Sequence, residues 1–271
     1  MIIDGHIHIS EQPPVDGTVS FKLADGSDLS VKLDEGADLS VNRLLHDMDE
    51  CHVNKALIMA VAGLASNEFL SKVVKAYAKR LVGFAWVTNP GTNQSVEELE
   101  KAVNELGLKG LKLHPGLQAF TPADQEILPL IKRAAELNVP ILIHTYPWPP
   151  GYFYNCLPEH IDTLKKRVPK ATIMVAHMGG PRFLDLLPIA PLPGVFVETS
   201  WGLTMIADLF GIDFTTRYIR RIGVDNVVFG TDWIGTNSER KAQLSVIQKM
   251  SLTREEKEKI LGENMRNILE P

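Results

Sequence analysis

Eight times along the chain, a short apolar run gives way to a stretch with helical periodicity. The runs fall at 2–8, 55–61, 81–87, 110–114, 140–144, 172–177, 195–199 and 226–230, with helical patterns between them such as 41–51, 68–80, 95–106, 124–137 and 158–167. A run that is apolar almost throughout, rather than at alternate residues, has to be covered on both faces. That pattern describes a parallel sheet with helices packed outside it, so the fold class is α/β. Eight such units within 271 residues predict a single closed (β/α)8, TIM-like barrel spanning 1–271. The competing arrangement is an open doubly wound sheet, which places a glycine-rich phosphate turn after its first strand. This chain has histidines there.

Two segments fall outside the repeat. Residues 12–36 hold two alternating stretches, Val19-Ser-Phe-Lys-Leu and Leu29-Ser-Val-Lys-Leu, on either side of Asp25-Gly26-Ser27-Asp28, which predicts a β-hairpin. Because it follows the first strand, it belongs on the barrel face that carries active sites, either as a lid or as a cover or subunit contact. Residues 252–269 predict an extra C-terminal helix, with Thr253 as N-cap and Glu255-Glu256 in its first turn. No linker or shift in composition marks a second domain.

Charge and cysteine content narrow the function classes. The 28 basic and 33 acidic residues give a net charge of -5, which does not favour nucleic acid. The basic runs Lys165-Lys166-Arg167 and Arg220-Arg221 lie in amphipathic stretches and read as solvated faces. Cys51 and Cys156 cannot form a disulfide framework, no apolar run is long enough to span a membrane, and the first residues enter a strand without a signal-peptide pattern. The expectation is a cytoplasmic protein acting on a small molecule, with neither nucleic acid nor membrane as partner. A homodimer is left open.

The polar residues that end the apolar runs carry the chemistry. The first run ends Asp4-Gly5-His6-Ile7-His8, and strand alternation puts His6 and His8 on one side as a pair suited to chelate a metal. The fifth run ends in His144, the sixth in His177, and the eighth in Asp232. One histidine at a strand end is usually a satisfied core residue. Four histidines and an aspartate converging on one rim instead point to a divalent metal, zinc first, with iron, manganese or cobalt also suited. Lys112 and His114 share parity and can both face inward; His114 could equally cap the turn at Pro115. His46, His52 and His160 read as solvent or helix-packing residues.

The set Asp4-Gly5-His6-Ile7-His8, Gly110-Leu-Lys-Leu-His-Pro115, Ile143-His144, Ala176-His-Met-Gly-Gly180, Gly230-Thr-Asp232 and Ile260-Leu-Gly-Glu-Asn264 resembles the amidohydrolase superfamily. More narrowly it is similar to amidohydrolase family 2, the branch that includes aminocarboxymuconate-semialdehyde decarboxylase. The resemblance implies that His6, His8 and His144 ligate one metal, with Asp232 as a further ligand or proton shuttle. It implies that His177 is catalytic and acts on the substrate carbonyl. Some superfamily members carry a carboxylated lysine bridging two metals. Lys112 occupies that strand, but this branch looks mononuclear, and Lys112 reads as a substrate-anion contact or a structural ion pair.

Trp86, Trp148, Trp201 and Trp233 all lie within or just after predicted strand ends, and Tyr146, Tyr152, Phe153 and Tyr154 follow the fifth. This predicts an apolar, aromatic pocket around the metal. Arg182 sits near a helix start, where a substrate carboxylate would be favoured. The leading expectation is a metal-dependent hydrolase that activates water against an ester, lactone or amide. The alternatives are a non-oxidative decarboxylase of an aromatic or unsaturated acid, and a catalytically inactive metal-binding barrel.

Overall fold

The computed structural model describes residues 1–151 and 153–270, with Phe153 described by its backbone alone. Ten strands are present among the described residues: β1 (Ile3–Ile7), β2 (Thr18–Lys22), β3 (Asp28–Lys32), β4 (Lys55–Met59), β5 (Leu81–Ala85), β6 (Gly110–Leu113), β7 (Ile141–Ile143), β8 (Ile173–Val175), β9 (Val195–Glu198) and β10 (Val227–Val228). Eight of them form one parallel sheet in the order β1-β4-β5-β6-β7-β8-β9-β10. The ends of that sheet meet: Ile7 pairs in parallel with Trp233, and Gly5 N–H donates to the Phe229 carbonyl at 2.9 Å. The chain is therefore an α/β, TIM-like barrel, as the eightfold repeat predicted.

The helices begin where the sequence supplies caps. Ser40, Ser66 and Thr92 accept from backbone N–H groups at the starts of α1 (Val41–Glu50), α2 (Asn67–Ala76) and α3 (Asn93–Asn104). After β6 come α4 (Pro115–Gln118) and α5 (Leu128–Glu136), and after β7 comes α6 (Glu159–Arg167). Then follow α7 (Gly202–Phe210), α8 (Ile212–Ile222), α9 (Ser238–Lys249), α10 (Arg254–Glu258) and α11 (Asn264–Leu269). The C-terminal segment is not one regular helix. A π-turn at Lys259–Glu263 separates α10 from α11, where Phe229 N–H donates to the Ile260 carbonyl and a Cβ on Gly262 would sit 2.4 Å from the Met1 carbonyl oxygen. Thr253 and Glu256 form the capping box.

Both faces of each strand are apolar because each packs against something. Ile58, Leu111, Leu113, Ile141, Ile143, Val195 and Val197 meet the helices, sharing one buried cluster with Leu44, Leu70, Leu99 and Ile131. Leu57, Phe84, Leu142, Met174 and Val228, of the opposite parity, pack together in the barrel interior. His6, Lys112 and Glu198 lie toward the C-terminal ends of their strands, while Asp4 is buried near the start of β1. The hairpin of β2 and β3 is antiparallel, with Val19 opposite Val31 and Phe21 opposite Leu29. Its apolar side chains turn over the barrel mouth beside Leu39 and Leu64.

Candidate active site and metal centre

The mouth of the barrel gathers the residues that end its strands. His6 is in β1 and His8 follows it; Lys112 is in β6; His114 and His144 immediately follow β6 and β7. His177 follows β8, Glu198 closes β9, and Asp232 follows β10. Several of these turns are backbone-strained. His177 (φ 59°), Met178 (φ 50°), Trp201 (φ 54°) and Asp232 (φ 53°) all lie in the left-handed region that side chains other than glycine rarely adopt. Strain of this kind persists where surrounding contacts over-determine it, and it clusters at functional sites.

Asp232 Oδ1 lies 3.0 Å from His8 Nε2 and 3.3 Å from His6 Nε2. These three residues offer donor atoms that all fall within 4.8 Å of one another. Ligands about 2.1 Å from one ion, at tetrahedral to octahedral angles, sit roughly 3.0–3.4 Å apart, so the observed spacings fit a single divalent cation. Two further nitrogens, His8 Nδ1 and His144 Nε2, are buried with no hydrogen-bond partner among the described residues. A buried nitrogen of this kind is suited to be a further donor to a cation. His144 is not among the three clustered donors. Its Nδ1 instead meets His177 Nε2 at 2.8 Å, which leaves Nε2 as the atom free to bind.

Burial disfavours the charged form of His6, His114, His144 and His177. Burial, followed by the positive charge of Lys112, holds His6 well below its ordinary value. Burial does the same to His144 and His114, and brings His177 down to about 4. Burial alone would push Asp232 upward, but His6, His8 and His177 outweigh it and keep the carboxyl well below its ordinary range. A carboxylate set among imidazole nitrogens is a donor set for a cation.

Lys112 is fully buried, with Nζ 2.9 Å from His6 Nε2. Burial brings its amine down to about 8, against the pull of Asp232 and Glu198. It makes no ion pair among the described residues; its contact is the histidine. His114 caps a turn and also borders the cluster of rings. Its Nδ1 accepts from Leu117 N–H at 3.2 Å, capping α4, and its ring stacks on His144 with centroids 3.8 Å apart.

A cavity of about 400 Å³ lies above these donors, bordered by His8, Lys112, His114, His144, His177 and Asp232. Its walls are Phe21, Trp148, Trp201 and Tyr146, with Val19, Val31 and Leu33 of the hairpin forming the roof. Phe21 and Trp148 meet edge to face at 5.4 Å, and Trp201 Nε1–H donates to Asp232 Oδ2 at 3.1 Å.

Three residues expected to bind substrate lie elsewhere. Arg182 is held by Asp185 and by Glu159 at 3.2 Å, so its guanidinium is committed outside the cavity. Trp86 borders a separate cavity beyond Val61 and Leu64. Trp233 pairs with Ile7 at the barrel seam and donates from Nε1 to Asp47 Oδ2 under α1, because its parity points out of the barrel. Tyr152 and the Phe153 side chain lie outside the described residues. His46 and His52 are exposed and His160 is half-buried, away from the cavity.

Sequence reasoning missed Glu198 and Ser200. Glu198 is fully buried, with Oε2 3.1 Å from His6 Nδ1. Ser200 donates to it from N at 2.6 Å and from Oγ at 2.7 Å, and also meets His177 Nδ1 at 2.8 Å. Burial pushes the Glu198 carboxyl up to about 8 while the Ser200 hydrogen bonds pull it back. The place is built for it: a Cβ on Gly230 would fall 2.3 Å from Glu198 Oε1. The available signal was a lone acid at interior parity in an otherwise apolar strand.

Comparison with known proteins agrees with the barrel fold. A curated relative, a 2-amino-3-carboxymuconate-6-semialdehyde decarboxylase of Dictyostelium discoideum, is 27% identical over 82 residues, which is 30% of this chain and 22% of that protein's length. A dihydroxybenzoic acid decarboxylase from Polaromonas, with bound manganese, superposes with a TM-score of 0.67 at 19% identity, covering 99% of this chain and 96% of its own. A protein described as a probable 2-pyrone-4,6-dicarboxylic acid hydrolase from Acinetobacter baumannii gives 0.71 at 17% identity, covering 100% and 99%. The amidohydrolase family 2 sequence model matches residues 3–269, nearly the whole barrel, and this chain is an enzyme that belongs to that family.

Proposed function

We propose that the chain is a non-oxidative, metal-dependent decarboxylase of an aromatic or unsaturated carboxylic acid. The observation that carries this reading is the cavity itself: aromatic and aliphatic walls closing directly onto the His6, His8 and Asp232 donors. Its volume of about 400 Å³ suits one small substituted ring.

His6, His8 and Asp232 would hold the ion, with His144 Nε2 as a further donor, and zinc, manganese, iron or cobalt suit that set. Bound there, a divalent ion supplies a Lewis acid that anchors the substrate's carboxylate. The chain's residues do the rest. Phe21, Trp148 and Trp201 hold the ring and exclude water, while Lys112 and Tyr146 are donors on the cavity wall that orient an anionic group. His114 and His177 complete the polar wall. The net reaction loses carbon dioxide and gains one proton at the same carbon. That proton comes from solvent, and Asp232, which faces the cavity as a carboxylate, is placed to relay it to the carbon.

The decarboxylases among the relatives support this reading over the hydrolysis expected first from the sequence. Hydrolysis is the second reading, favoured by the pyrone dicarboxylate hydrolase likeness. The two separate in one assay. Metal-loaded protein is incubated with a panel of hydroxybenzoic acids, unsaturated dicarboxylic acids and lactones, with trapping of carbon dioxide. Carbon dioxide released in step with the decarboxylated product is expected; lactone opening without it would overturn the proposal in favour of hydrolysis. Cys51 and Cys156 are buried and unpaired, which supports a reducing, cytoplasmic setting.

A further inference from the structure

We propose that Glu198 and Ser200, neither of which lines the cavity, are positioning residues that fix which ring nitrogen carries the proton in His6, His177 and His144, leaving His6 Nε2 and His144 Nε2 as bare donors for the metal. The inference rests on the metal-dependent reading above and adds two residues to it.

The hydroxyl proton of Ser200 decides the chain. Ser200 N–H points at Oε1 of Glu198, and Ser200 Oγ and His177 N–H, the last at 3.4 Å, point at Oε2, so both oxygens of Glu198 are placed as acceptors. Ser200 has a single hydroxyl proton and gives it to Glu198, so its oxygen can meet His177 Nδ1 at 2.8 Å only as acceptor. His177 therefore carries its proton on Nδ1. A neutral ring protonated there has a lone pair on Nε2, and that atom lies 2.8 Å from His144 Nδ1. His144 must then donate from Nδ1, which leaves its Nε2 bare. This is the same buried nitrogen that has no partner among the described residues.

The other branch is shorter. Glu198 Oε2 accepts from His6 Nδ1 at 3.1 Å, so His6 Nε2 keeps its lone pair. That nitrogen faces Asp232 at 3.3 Å and receives a proton donor in Lys112 at 2.9 Å. One buried carboxylate thus sets two donor nitrogens on opposite sides of the site, by one direct contact and by one chain through a serine and a histidine. Partners that fix a ligating histidine in this way typically account for a 10- to 100-fold change in metal affinity, on the order of magnitude.

The test uses the full chain stripped of metal. Long-range proton–nitrogen correlation spectra report the tautomer of each buried histidine, and calorimetry gives the Kd for manganese and zinc. In the wild type, His6, His144 and His177 should all appear as the Nδ1–H form. Ser200→Ala should mix the tautomers of His177 and His144 and weaken metal binding roughly tenfold or more, while Ser200→Thr, which keeps the hydroxyl, restores both. Glu198→Gln should disturb His6 as well and weaken binding further. Nε2–H tautomers at His144 or His177 in the wild type would overturn the proposal. So would a folded Ser200→Ala variant that binds metal as tightly as the wild type. If the wild type binds neither ion, the functional reading fails, and the tautomers alone decide this inference.

Discussion

Replacing Arg240 with Met should be among the most destabilising single changes available in this barrel. Arg240 and Asp4 are both fully buried, and Arg240 Nε donates to Asp4 Oδ2 at 3.0 Å. Asp4 also accepts from Thr231 N–H at 3.0 Å and from Thr231 Oγ1 at 2.6 Å, pinning β1 to the turn that presents Asp232. Burial raises the Asp4 carboxyl, and Arg240 is the main influence opposing it. Met fills much of the volume but leaves a carboxylate in the interior with no cation. Removing one partner of such a pair costs about 3–5 kcal/mol, because the other charge stays buried. At about 2–4 °C per kcal/mol for a chain near this size, Tm should fall by roughly 6–20 °C. The assay is urea and thermal denaturation of metal-stripped protein, so that ion binding does not mask the loss. Asp4→Asn/Arg240→Met should recover at least half of it, since the amide oxygen still accepts from Thr231 and no charge is stranded. A single-variant cost below about 1 kcal/mol, or a double variant as unstable as the single, would refute the reasoning.

Other expectations follow from the same geometry. Phe21→Ala removes a half-buried ring from the cavity wall, so KM for the aromatic acid should rise about tenfold with kcat changed far less; an unchanged KM would exclude the hairpin from substrate contact. Arg182→Ala should leave KM within about twofold, because its guanidinium is already taken by Asp185 and Glu159; a large rise would restore Arg182 to the site. The metal-free protein should lose stability as pH falls below 6.5, because the unfolded chain takes up protons that the folded rings refuse, and His177, held to about 4, contributes about 3 kcal/mol of loss across that window. Denaturant unfolding between pH 7 and 4.5 would show it, and a flat profile would contradict the neutral-ring assignment.

The barrel was legible because its strands are apolar on both faces, which singles out any polar residue at a strand end. His144, His177 and Asp232 stood out for that reason, and the structure brings all three to one cavity. Strand limits were less legible. The runs at 172–177 and 226–230 were read as strands, but pairing covers only Ile173–Val175 and Val227–Val228. β8 breaks off just before the backbone turns left-handed at His177, whereas β10 ends four residues before the left-handed Asp232, and local sequence pattern cannot anticipate a conformation that tertiary contacts impose. The tryptophans show a second gap. Lying near a strand end does not say which face a side chain takes: Trp148 and Trp201 border the cavity, whereas Trp233 turns under α1. Arg182 did carry a warning in the sequence, an acid three residues on at Asp185, which can hold it on its own helical turn.

Asp4 and Glu198 mark where sequence reasoning runs out for a physical reason. Each is an acid whose function lies in what it holds rather than in what it touches in the cavity. Asp4 was legible only as the first letter of the His-x-His motif, yet its partners Thr231 and Arg240 lie more than 220 residues away along the chain. Glu198 drew no reading from the sequence, and its meaning depends on His6, 192 residues distant, and on a glycine at 230 that leaves room for it. Metal donors can be read from their own chemistry, because imidazole and carboxylate at a strand end announce themselves. The residues that aim those donors cannot be read that way, because an ionisable group buried in a barrel is tolerated only when distant segments supply every one of its partners. The first kind of residue tells what the site can bind, and the second kind requires the fold to be known before its role can be stated.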